Sequence, residues 1–501
     1  MHAIEKLRLA FVGDLTLGEL ASRLSAAHGS TTLVEEPNGE RWSGDRLVST
    51  VDEWAMRVRA LVAPGDRVVV RLPNGFGFFV ACLAVSRAGA IVVPVNDKMR
   101  KSEIDHVVRD SGAALVVNDR AVFHGGPTAA PVADSASPDD VAAVLYTSGT
   151  TGLPKGAQLT HRGLLSGIRR GAAVPSSIRD DEAVFALPVA HIMGFAGLLG
   201  LLIAGVRSYV FPRFHPVEVL DAIEQRRSSI FVGVPTMYRM LLEAGAAQRD
   251  LKSVRVWMSG ADAMPPDLVR SFQRFGASAT LPLVGTSVGE ALFVEGYGMV
   301  ELSGGVAFKL TPPFAGGLLL RPVGVPLPSN DLRVVDDTGA SVAMGRVGAL
   351  EVRGPGVLKG YLGNEEASAE AVTADGWLRT GDLARRLPFG AVEFAGRAKD
   401  VIKVGGYSVF AAEVQAVLEE VDGVAEAVVV GLDDTRLGQV PAAALRAVPG
   451  QDLDTADVAA HAVEHLAAYK VPARWVVVDE LPRTGTGKVQ RDLVRLLFSD
   501  G

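Results

Sequence analysis

The stretch YTSGTTGLPKG, residues 146–156, determines how the rest of the chain is interpreted. It places three glycines, three Thr hydroxyls, one Ser hydroxyl and a lysine between two runs, Val141–Leu145 and Ala157–Thr160, that predict short strands. A Gly-rich turn exposes backbone N–H groups, and the hydroxyls and the ammonium add further donors, which together suit a polyphosphate. The spacing is not the Walker pattern GxxxxGK[ST], and a flexible connector would not require the Pro-Lys-Gly exit. The stretch therefore predicts a phosphate-binding loop held by two strands.

The composition restricts the class of protein. A chain of 501 residues exceeds a single hydrophobic core and predicts more than one domain. With 48% hydrophobic and 21% charged residues it is typical of a globular enzyme, and a net charge of −7 without a long basic run argues against a nucleic-acid partner. The single cysteine, Cys82, lies in an apolar run and predicts a core residue. One cysteine allows neither an intrachain disulfide nor a multi-cysteine zinc site, so we expect a reducing, cytoplasmic location.

One segment raises the question of a membrane span. Residues 186–206 carry no formal charge, but Pro188, His191 and four glycines interrupt them. We therefore expect a buried core segment and no transmembrane helix. The N-terminal residues MHAIEKLRLA also lack the long apolar region of a signal peptide. Peripheral membrane contact through an apolar substrate stays open.

Hydrophobic periodicity predicts the organisation along the chain. The first part alternates strands and helices, which indicates a parallel sheet with crossover helices: strands over 67–72, 91–95 and 114–117, and helices over 76–88 and 102–111, the second beginning at a Ser102 N-cap. The alternation resumes over 216–258, and short strands near 332–335, 349–352 and 390–394 predict a small antiparallel barrel. Helices over 411–421 and 456–468, with strands over 425–430 and 475–478, predict a compact α+β domain at the end of the chain.

Four further motifs accompany the phosphate loop: GYGMVE at 296–301, WLRTGD at 377–382, GRAKD at 396–400 and PRTGTGK at 482–488. Each is weak alone, since Tyr297 could be a core residue, Asp382 a turn residue and Lys488 a solvated amine. Their occurrence together in this order makes coincidence improbable.

With these motifs, the chain resembles the adenylate-forming superfamily, which includes acyl-CoA synthetases, aryl-CoA ligases, peptide-synthetase adenylation domains and luciferases. The resemblance runs from about Arg67 to Arg491. It implies an α/β fold with a large N-terminal domain, residues 1–398, made of two βαβ-type subdomains and a small β-barrel. A small C-terminal α+β domain, residues 399–501, would rotate about a hinge. It also implies an AMP-forming acid–thiol ligase that uses ATP, Mg²⁺ and coenzyme A.

The resemblance implies nucleotide-binding roles for particular residues. The ATP phosphates would contact the loop residues Thr147, Ser148, Gly149, Thr150, Thr151 and Lys155. Tyr297 would stack on adenine, beside Gly298 and the backbone of Gly260 and Ala261. Asp382 and Arg397 would bind the ribose hydroxyls.

The resemblance also implies a group of catalytic residues: Lys488, Glu301, His191 and Thr147. Lys488 would reach the carboxylate of the acid and the α-phosphate, and Glu301 would help to hold Mg²⁺. His191 would lie beside the acyl pocket and the thioester site, although a histidine satisfied within an apolar segment is an equal interpretation. Lys399 would be the hinge. Gly405 and Gly406 would approach the pantetheine arm of CoA.

Two positions depart from the family pattern. Val300 stands where a threonine usually contacts the α-phosphate side, so a donor is lost, and adenylation could be slowed, altered or abolished. Ala411 replaces a proline, which we expect to matter for structure only. A nucleotide- or acyl-binding protein without catalysis is therefore an alternative to an enzyme.

The substrate is predicted less closely than the reaction. The presumed acyl-pocket stretches, 192–199, 231–238 and 294–305, are mostly apolar and Gly-rich, and Gly296 would leave room for a tunnel. We expect an apolar monocarboxylic acid such as a medium- or long-chain fatty acid, with an aromatic or sterol-derived acid as the alternative. CoA is the expected acceptor because no extra segment or fused carrier domain is evident, but transfer to a separate carrier protein and a homodimer both stay open.

The sequence also contains one candidate for a histidine-based metal site. His461, Glu464 and His465 match the inverted HxxEH pattern on a predicted helix. So short a match arises easily by chance, and we expect a polar helix face.

Overall fold

The computed structural model describes residues 5, 9, 14–125, 136–147, 154–168, 181–280, 287–313, 324–483 and 489–499. Internal contacts divide the chain into two compact units. The first unit comprises Met1–Met264, Arg270–Asp331 and Val352–Leu378, and the second comprises Pro265–Val269, Leu332–Glu351 and Arg379–Gly501. The domain boundary between residues 398 and 399 stays a prediction.

The strands, in chain order, are β1 Thr32–Glu35, β2 Arg41–Ser43, β3 Arg67–Val70, β4 Ile91–Pro94, β5 Leu115–Val117, β6 Val141–Thr147, β7 Lys155–Thr160, β8 Glu182–Phe185, β9 Arg207–Val210, β10 Ile230–Gly233, β11 Val256–Gly260, β12 Ala279–Thr280, β13 Ser287–Val288, β14 Leu292–Met299, β15 Gly304–Thr311, β16 Val325–Pro326, β17 Asp331–Val335, β18 Val347–Arg353, β19 Gly360–Tyr361, β20 Leu378–Arg386, β21 Val392–Arg397, β22 Val401–Val404, β23 Tyr407–Phe410, β24 Val424–Asp434, β25 Gly438–Ala447 and β26 Arg474–Val478.

The α-helices are α1 Leu20–His28, α2 Gly44–Arg59, α3 Phe76–Arg87, α4 Lys101–Ser111, α5 His161–Ser166, α6 Ile192–Ala204, α7 Pro216–Arg226, α8 Pro235–Glu243, α9 Pro266–Phe275, α10 Glu365–Ala371, α11 Ala411–Leu418, α12 Thr455–His465 and α13 Arg491–Leu496. Both α7 and α8 begin with a proline in the first turn, where its missing N–H costs little.

The larger sheet of the first unit has nine strands in the order β16-β15-β14-β11-β10-β8-β9-β1-β2. The strands from β14 to β1 in this order run parallel to their neighbours, whereas β15, β16 and β2 pair antiparallel at the two ends. Parallel strands require crossover connections: α6 connects the neighbours β8 and β9, α8 connects the neighbours β10 and β11, and α7 leads from β9 past β8 to β10. The alternation predicted over residues 216–258 is therefore confirmed.

The second sheet of the first unit has six strands in the order β19-β7-β6-β4-β3-β5. Here β3, β4, β5 and β6 are parallel, while β7 and β19 join antiparallel at one edge. Helix α3 connects β3 to β4, and nearly all of its residues are buried, which explains its apolar sequence on every face. Cys82 is one of these residues; burial raises the pKa of its thiol, and its predicted place in the core is confirmed.

The start of α4 corrects one prediction. The helix begins at Lys101 and its N-cap is Arg100, so Ser102 lies inside the first turn. The reason is the carboxylate of Glu103, whose Oε2 accepts a hydrogen bond from the Arg100 N–H at 2.8 Å. An acidic side chain at the third helical position satisfies an N-terminal donor as well as a serine would.

The second unit contains two sheets. The region expected to close into a small barrel forms an open four-stranded sheet over the described residues, in the order β17-β18-β20-β21. The last part of the chain forms a sheet with the order β23-β22-β25-β24, in which β26 also pairs with β25. Helices α11 and α12 pack on it through a core that includes Val414, Leu418 and Val458, and the α+β pattern predicted there is confirmed.

The apolar segment near residue 200 is the buried helix α6, of 13 residues. Over the described part of the chain, no helix is both long enough and apolar enough to cross a bilayer.

Candidate functional site

The predicted phosphate loop connects the hairpin strands β6 and β7. Thr147 is the register partner of Lys155, and Tyr146 is the partner of Gly156, so the ends of the loop are brought together at its base. The structure thus places Thr147 and Lys155 side by side. The other predicted loop residues, Ser148, Gly149, Thr150 and Thr151, lie outside the described residues.

Helix α4 anchors the base of this hairpin. Tyr146 Oη donates to Asp110 Oδ2 at 2.7 Å, and His106 Nε2 lies 2.9 Å from the carbonyl oxygen of Pro154. The rings of His106 and Tyr146 meet edge to face with centroids 6.2 Å apart. Burial, followed by the hydrogen bond to Asp110, raises the pKa of Tyr146, which keeps its phenol a neutral donor. These contacts fix both ends of the loop, at Tyr146 and at Pro154, against helix α4.

Glu301 is linked to the hairpin by Tyr361, a residue that lies outside the sequence motifs. Glu301 is in a short 3₁₀ turn, Val300–Leu302, that follows β14, and Tyr361 Oη donates to its Oε1 at 2.9 Å. The Lys155 ammonium lies 5.4 Å from the centroid of the same Tyr361 ring. Because β19 pairs antiparallel with β7, residues far apart in sequence meet here. The predicted phosphate ligand Lys155 and the predicted metal ligand Glu301 therefore share one neighbour.

The residues predicted to bind adenine lie where the end of β11 meets β14. Gly260, at the end of β11, is the parallel partner of Gly296, and Tyr297 follows directly. Ala261 has φ 69°, a left-handed conformation that costs an alanine roughly 1–2 kcal/mol. Such strain is most often retained where backbone must face a ligand. Gly298 has a steric reason to be glycine, since a Cβ there would lie 1.9 Å from the Gly304 carbonyl oxygen.

His191 is the N-cap of α6. Its Nδ1 accepts a hydrogen bond from the Met193 N–H at 3.3 Å, so Nε2 carries the proton of the neutral ring. The turn before it is fixed by Asn74, whose Oδ1 accepts from the Val189 N–H at 2.8 Å and whose Nδ2 donates to the Pro212 carbonyl at 3.2 Å. The ring thus has a structural role as a cap, and its predicted catalytic role stays a prediction.

The predicted ribose ligands form a pair in the second unit. Asp382 on β20 is the register partner of Arg397 on β21, and Arg397 Nε lies 3.2 Å from Asp382 Oδ1. The Asp382 side chain is only 2% exposed. Lys399 follows two residues later, and burial is the main cause that lowers the pKa of its ammonium. A buried carboxylate beside a half-exposed guanidinium can accept from one hydroxyl while the cation donates to another.

Gly405 and Gly406 form the turn between β22 and β23. Their φ angles are 54° and 89°, the left-handed values that a two-residue hairpin turn requires at both positions. This explains the two glycines by conformation, and contact with CoA stays a prediction. Lys488 lies outside the described residues. The described residues that flank it, Arg483 and Val489, are partners in an antiparallel bridge.

The surroundings of Gly296 bear on the expected acyl tunnel, which stays a prediction. The space beside this glycine is filled, because its cross-strand partner Phe308 places Cε1 3.2 Å from where a Cβ would be. The neighbouring Gly260 is covered in the same way by Met193, whose Cε lies 3.2 Å from the corresponding position. Paired residues of adjacent strands project to the same face of the sheet, so the positions beside Gly260 and Gly296 lie on one face. Met193 and Phe308 together cover this face at the two glycines, which we call the glycine floor. Among the described residues, the Phe308 ring therefore occupies the space directly beside Gly296.

A carboxylate and phosphate oxygens are the ligands that Mg²⁺ accepts, usually one or two carboxylates with a nucleotide. Glu301 fits this requirement, since Tyr361 hydrogen-bonds to Oε1 and leaves Oε2 to a cation. Among the described residues, no group of three or more His, Cys, Asp or Glu side chains could hold a metal ion by itself. In the HxxEH segment, the rings of His461 and His465 stack 4.1 Å apart, and His461 Nε2 lies 3.6 Å from Glu420 Oε2.

The sequence matches the family described as AMP-binding enzyme over residues 22–130 and 119–362, and the AMP-binding enzyme C-terminal domain over residues 413–488. The chain belongs to the AMP-binding enzymes. Within the adenylate-forming superfamily it is of the acyl-CoA synthetase type, and the predicted AMP-forming acid–thiol ligase is confirmed at this level. ATP and CoA are the substrates that this family uses.

Three relatives of the chain are named for three different acids. The 3-[(3aS,4S,7aS)-7a-methyl-1,5-dioxo-octahydro-1H-inden-4-yl]propanoyl:CoA ligase of Mycobacterium tuberculosis (strain ATCC 25618 / H37Rv) is 34% identical, covering 93% of this chain and 96% of that protein. The feruloyl-CoA synthase of Amycolatopsis sp is 34% identical, covering 87% and 90%. The long-chain-fatty-acid–CoA ligase of Bacillus subtilis (strain 168) is 28% identical, covering 85% and 84%.

Solved structures share the fold over nearly the whole chain. ATP-bound MatB from Rhodopseudomonas palustris matches with a TM-score of 0.83 and 28% identity, covering 97% of this chain and 99% of that one. O-succinylbenzoate coenzyme A synthetase (MenE) from Bacillus subtilis, in complex with ATP and magnesium ion, matches with a TM-score of 0.80 and 26% identity, covering 96% and 99%. The predicted fold class, a large α/β adenylate-forming domain followed by a C-terminal domain, is confirmed.

Proposed function

We propose that this enzyme activates a compact, apolar monocarboxylic acid with ATP and transfers the acyl group to CoA. The observation that carries the proposal is the contact between the phosphate-loop hairpin and Glu301, made through Tyr361. A lysine at the exit of the loop and a carboxylate that can hold a cation are thereby directed at one nucleotide.

The chemistry has two steps. An oxygen of the acid's carboxylate attacks the α-phosphorus of ATP, the bond to the β-phosphate oxygen breaks, and pyrophosphate leaves. The CoA thiolate then attacks the carbonyl carbon of the acyl adenylate, the bond to the AMP oxygen breaks, and the thiol proton passes to solvent. Activation is needed because a free carboxylate has no good leaving group, whereas AMP is one.

The residues of the first step stabilise negative charge. Lys155 and the N–H groups of the loop would bind the phosphates, and Lys488 would contact the α-phosphate and the attacking carboxylate. Preorganised donors of this kind usually supply the largest part of such catalysis. Mg²⁺, held by Glu301, would neutralise charge on the phosphate oxygens.

The remaining assignments complete the site. Tyr297 would stack on adenine beside the strained Ala261, and Asp382 with Arg397 would bind the ribose. Lys399 would serve as the hinge about which the C-terminal domain turns. His191, as the N-cap of α6, would order the acyl side rather than remove a proton.

The side chains that cover Gly260 and Gly296 favour an acid that is compact over one that is long. A medium- or long-chain fatty acid requires a tunnel, and the side chains of Met193 and Phe308 fill the space beside Gly260 and Gly296. An acid with a ring system near its carboxylate needs an acyl pocket that is wide rather than deep. The names of the M. tuberculosis and Amycolatopsis relatives contain ring-bearing acids, which also favours this class.

The deciding experiment is an acid panel with ATP, Mg²⁺ and CoA, in which pyrophosphate release is timed and products are identified by mass. The panel contains a hydroxycinnamate, a bicyclic propanoate, and medium- and long-chain saturated fatty acids. We expect the highest kcat/KM with a ring-bearing acid. A preference for a long-chain acid would overturn the substrate class and favour the fatty-acid alternative.

Two further outcomes of the same panel test the reaction. Acyl adenylate without thioester, followed by transfer to a carrier protein, would identify an acyl-AMP ligase. Pyrophosphate release with none of the acids would favour a nucleotide-binding protein without catalysis.

A further inference from the structure

Tyr361 combines contacts that no other described residue of the site makes. Its hydroxyl donates to Glu301 Oε1 at 2.9 Å, and its ring lies under the Lys155 ammonium at 5.4 Å from the centroid. Lysine over an aromatic face is attracted by the ring quadrupole. One side chain therefore contacts both charged groups that face the predicted phosphates.

The backbone around Tyr361 is fixed from three directions. The Leu362 N–H donates to the Gly156 carbonyl at 2.8 Å, which joins β19 to the end of the phosphate loop. The Leu358 N–H donates to the Glu301 carbonyl at 2.8 Å, and the Tyr361 N–H donates to Ser368 Oγ at 2.8 Å. The phenol is thus held at a set position relative to the hairpin and to the 3₁₀ turn.

We propose that Tyr361 is a positioning residue that orients the Glu301 carboxylate for the divalent cation of the nucleotide. The inference rests on the proposed function, in which Glu301 holds Mg²⁺. By accepting from the phenol on Oε1, the carboxylate keeps one rotamer and presents Oε2 to the cation. Partners that orient a metal ligand typically affect metal affinity about 10–100-fold when they are removed.

The test is Tyr361→Phe, which removes the hydroxyl and retains the ring beneath Lys155. Mn²⁺ is titrated into the protein with a non-hydrolysable ATP analogue, and bound Mn²⁺ is followed by electron paramagnetic resonance. We expect Mn²⁺ binding to weaken about tenfold. In turnover, we expect the Mg²⁺ concentration for half-maximal pyrophosphate release to rise by a similar factor, with kcat largely recovered at saturating Mg²⁺.

A matched control removes a hydroxyl elsewhere in the same unit. Tyr209→Phe serves, because Tyr209 lies on β9, where its ring packs against Phe211 and under Arg226. It should leave the Mn²⁺ titration unchanged. An equal effect of both variants would contradict the proposal.

A double-mutant cycle with Glu301→Gln separates positioning from a merely structural role. If Tyr361 acts through Glu301, the second change adds nothing to Mn²⁺ binding in the Glu301→Gln protein. Additive losses, or an unchanged Mn²⁺ affinity in Tyr361→Phe, would overturn the proposal. The Mn²⁺ titration needs no acid, so it gives its answer even if the acid panel shows no turnover.

Discussion

The phosphate side and the acyl side of the site are built on different principles. On the phosphate side, hydrogen bonds of 2.7–2.9 Å join the β6–β7 hairpin to helix α4 and to β19, and join β19 to the 3₁₀ turn at Glu301. On the acyl side, apolar side chains cover two glycines, with Met193 Cε and Phe308 Cε1 each 3.2 Å from where a Cβ on Gly260 or Gly296 would lie. The first arrangement positions charge, and the second sets volume.

This difference predicts how each side responds to change. Polar positioning tolerates little, because a preorganised donor acts only in one geometry. Apolar volume can be altered more freely, since a hydrophobic pocket discriminates by only about 1–3 kcal/mol for each methylene-sized change. Substitutions on the phosphate side should therefore change rate, and those on the acyl side should change preference.

The largest effect is expected for Lys488→Ala. Loss of the cation that is proposed to contact the α-phosphate should reduce adenylate formation by roughly 10²–10³ or more. Thioester formation from supplied acyl-AMP should be nearly unchanged. Separate assays of the two half-reactions check this, and an equal loss in both would contradict the role of Lys488.

Glu301→Gln should follow in size. A neutral amide holds a divalent cation poorly, so adenylation should fall by about 10² at physiological Mg²⁺ and recover in part at high Mg²⁺. Pyrophosphate release over a Mg²⁺ series measures this. An unchanged Mg²⁺ requirement would show that Glu301 is not a metal ligand.

Phe308→Ala probes the acyl side. Opening the space beside Gly296 should raise the kcat/KM of long-chain acids relative to ring-bearing acids about tenfold, with little change in the KM for ATP. Leu310→Ala is a suitable control, since Leu310 is on the same strand but 57% exposed. If the two variants have the same acid preference, Phe308 does not limit the acyl pocket.

The smallest effect is expected for Val300→Thr. Val300 is 9% exposed and directly precedes Glu301, so a hydroxyl there could donate toward the α-phosphate. We expect adenylation to increase about fivefold, equivalent to about 1 kcal/mol for one net hydrogen bond. A lower rate would indicate that the hydroxyl finds no partner at this position. The comparison is made on kcat at saturating ATP.

The phosphate side could be predicted from sequence because its signals are local. Glycines, hydroxyls and a lysine within eleven residues specify a turn and its donors, and the apolar runs on either side specify the hairpin. Pairs such as Asp382 with Arg397 lie on consecutive strands, so their meeting also follows from a short-range pattern. The alternation of strands and helices over residues 67–117 and 216–258 could be predicted for the same reason.

The acyl side could not be predicted in this way. Phe308 covers Gly296 only because β14 and β15 pair in one register, and Met193 of α6 lies against Gly260 of β11 although the two are 67 residues apart. On the phosphate side, one contact could not be predicted either: Tyr361 reaches Glu301 through the pairing of β19 with β7, across 60 residues. These contacts depend on tertiary packing, which no local motif encodes. Gly296 could be identified from the sequence, but its contact with the Phe308 ring could not.

The most direct test of the account is acid-dependent exchange of labelled pyrophosphate into ATP by the wild-type enzyme, with a ring-bearing acid and a long-chain fatty acid compared at equal concentration. The account predicts exchange that requires both Mg²⁺ and an acid, and that is faster with the ring-bearing acid. Exchange that is absent with both acids would contradict the proposed activation chemistry, and faster exchange with the long-chain acid would contradict the proposed role of Met193 and Phe308.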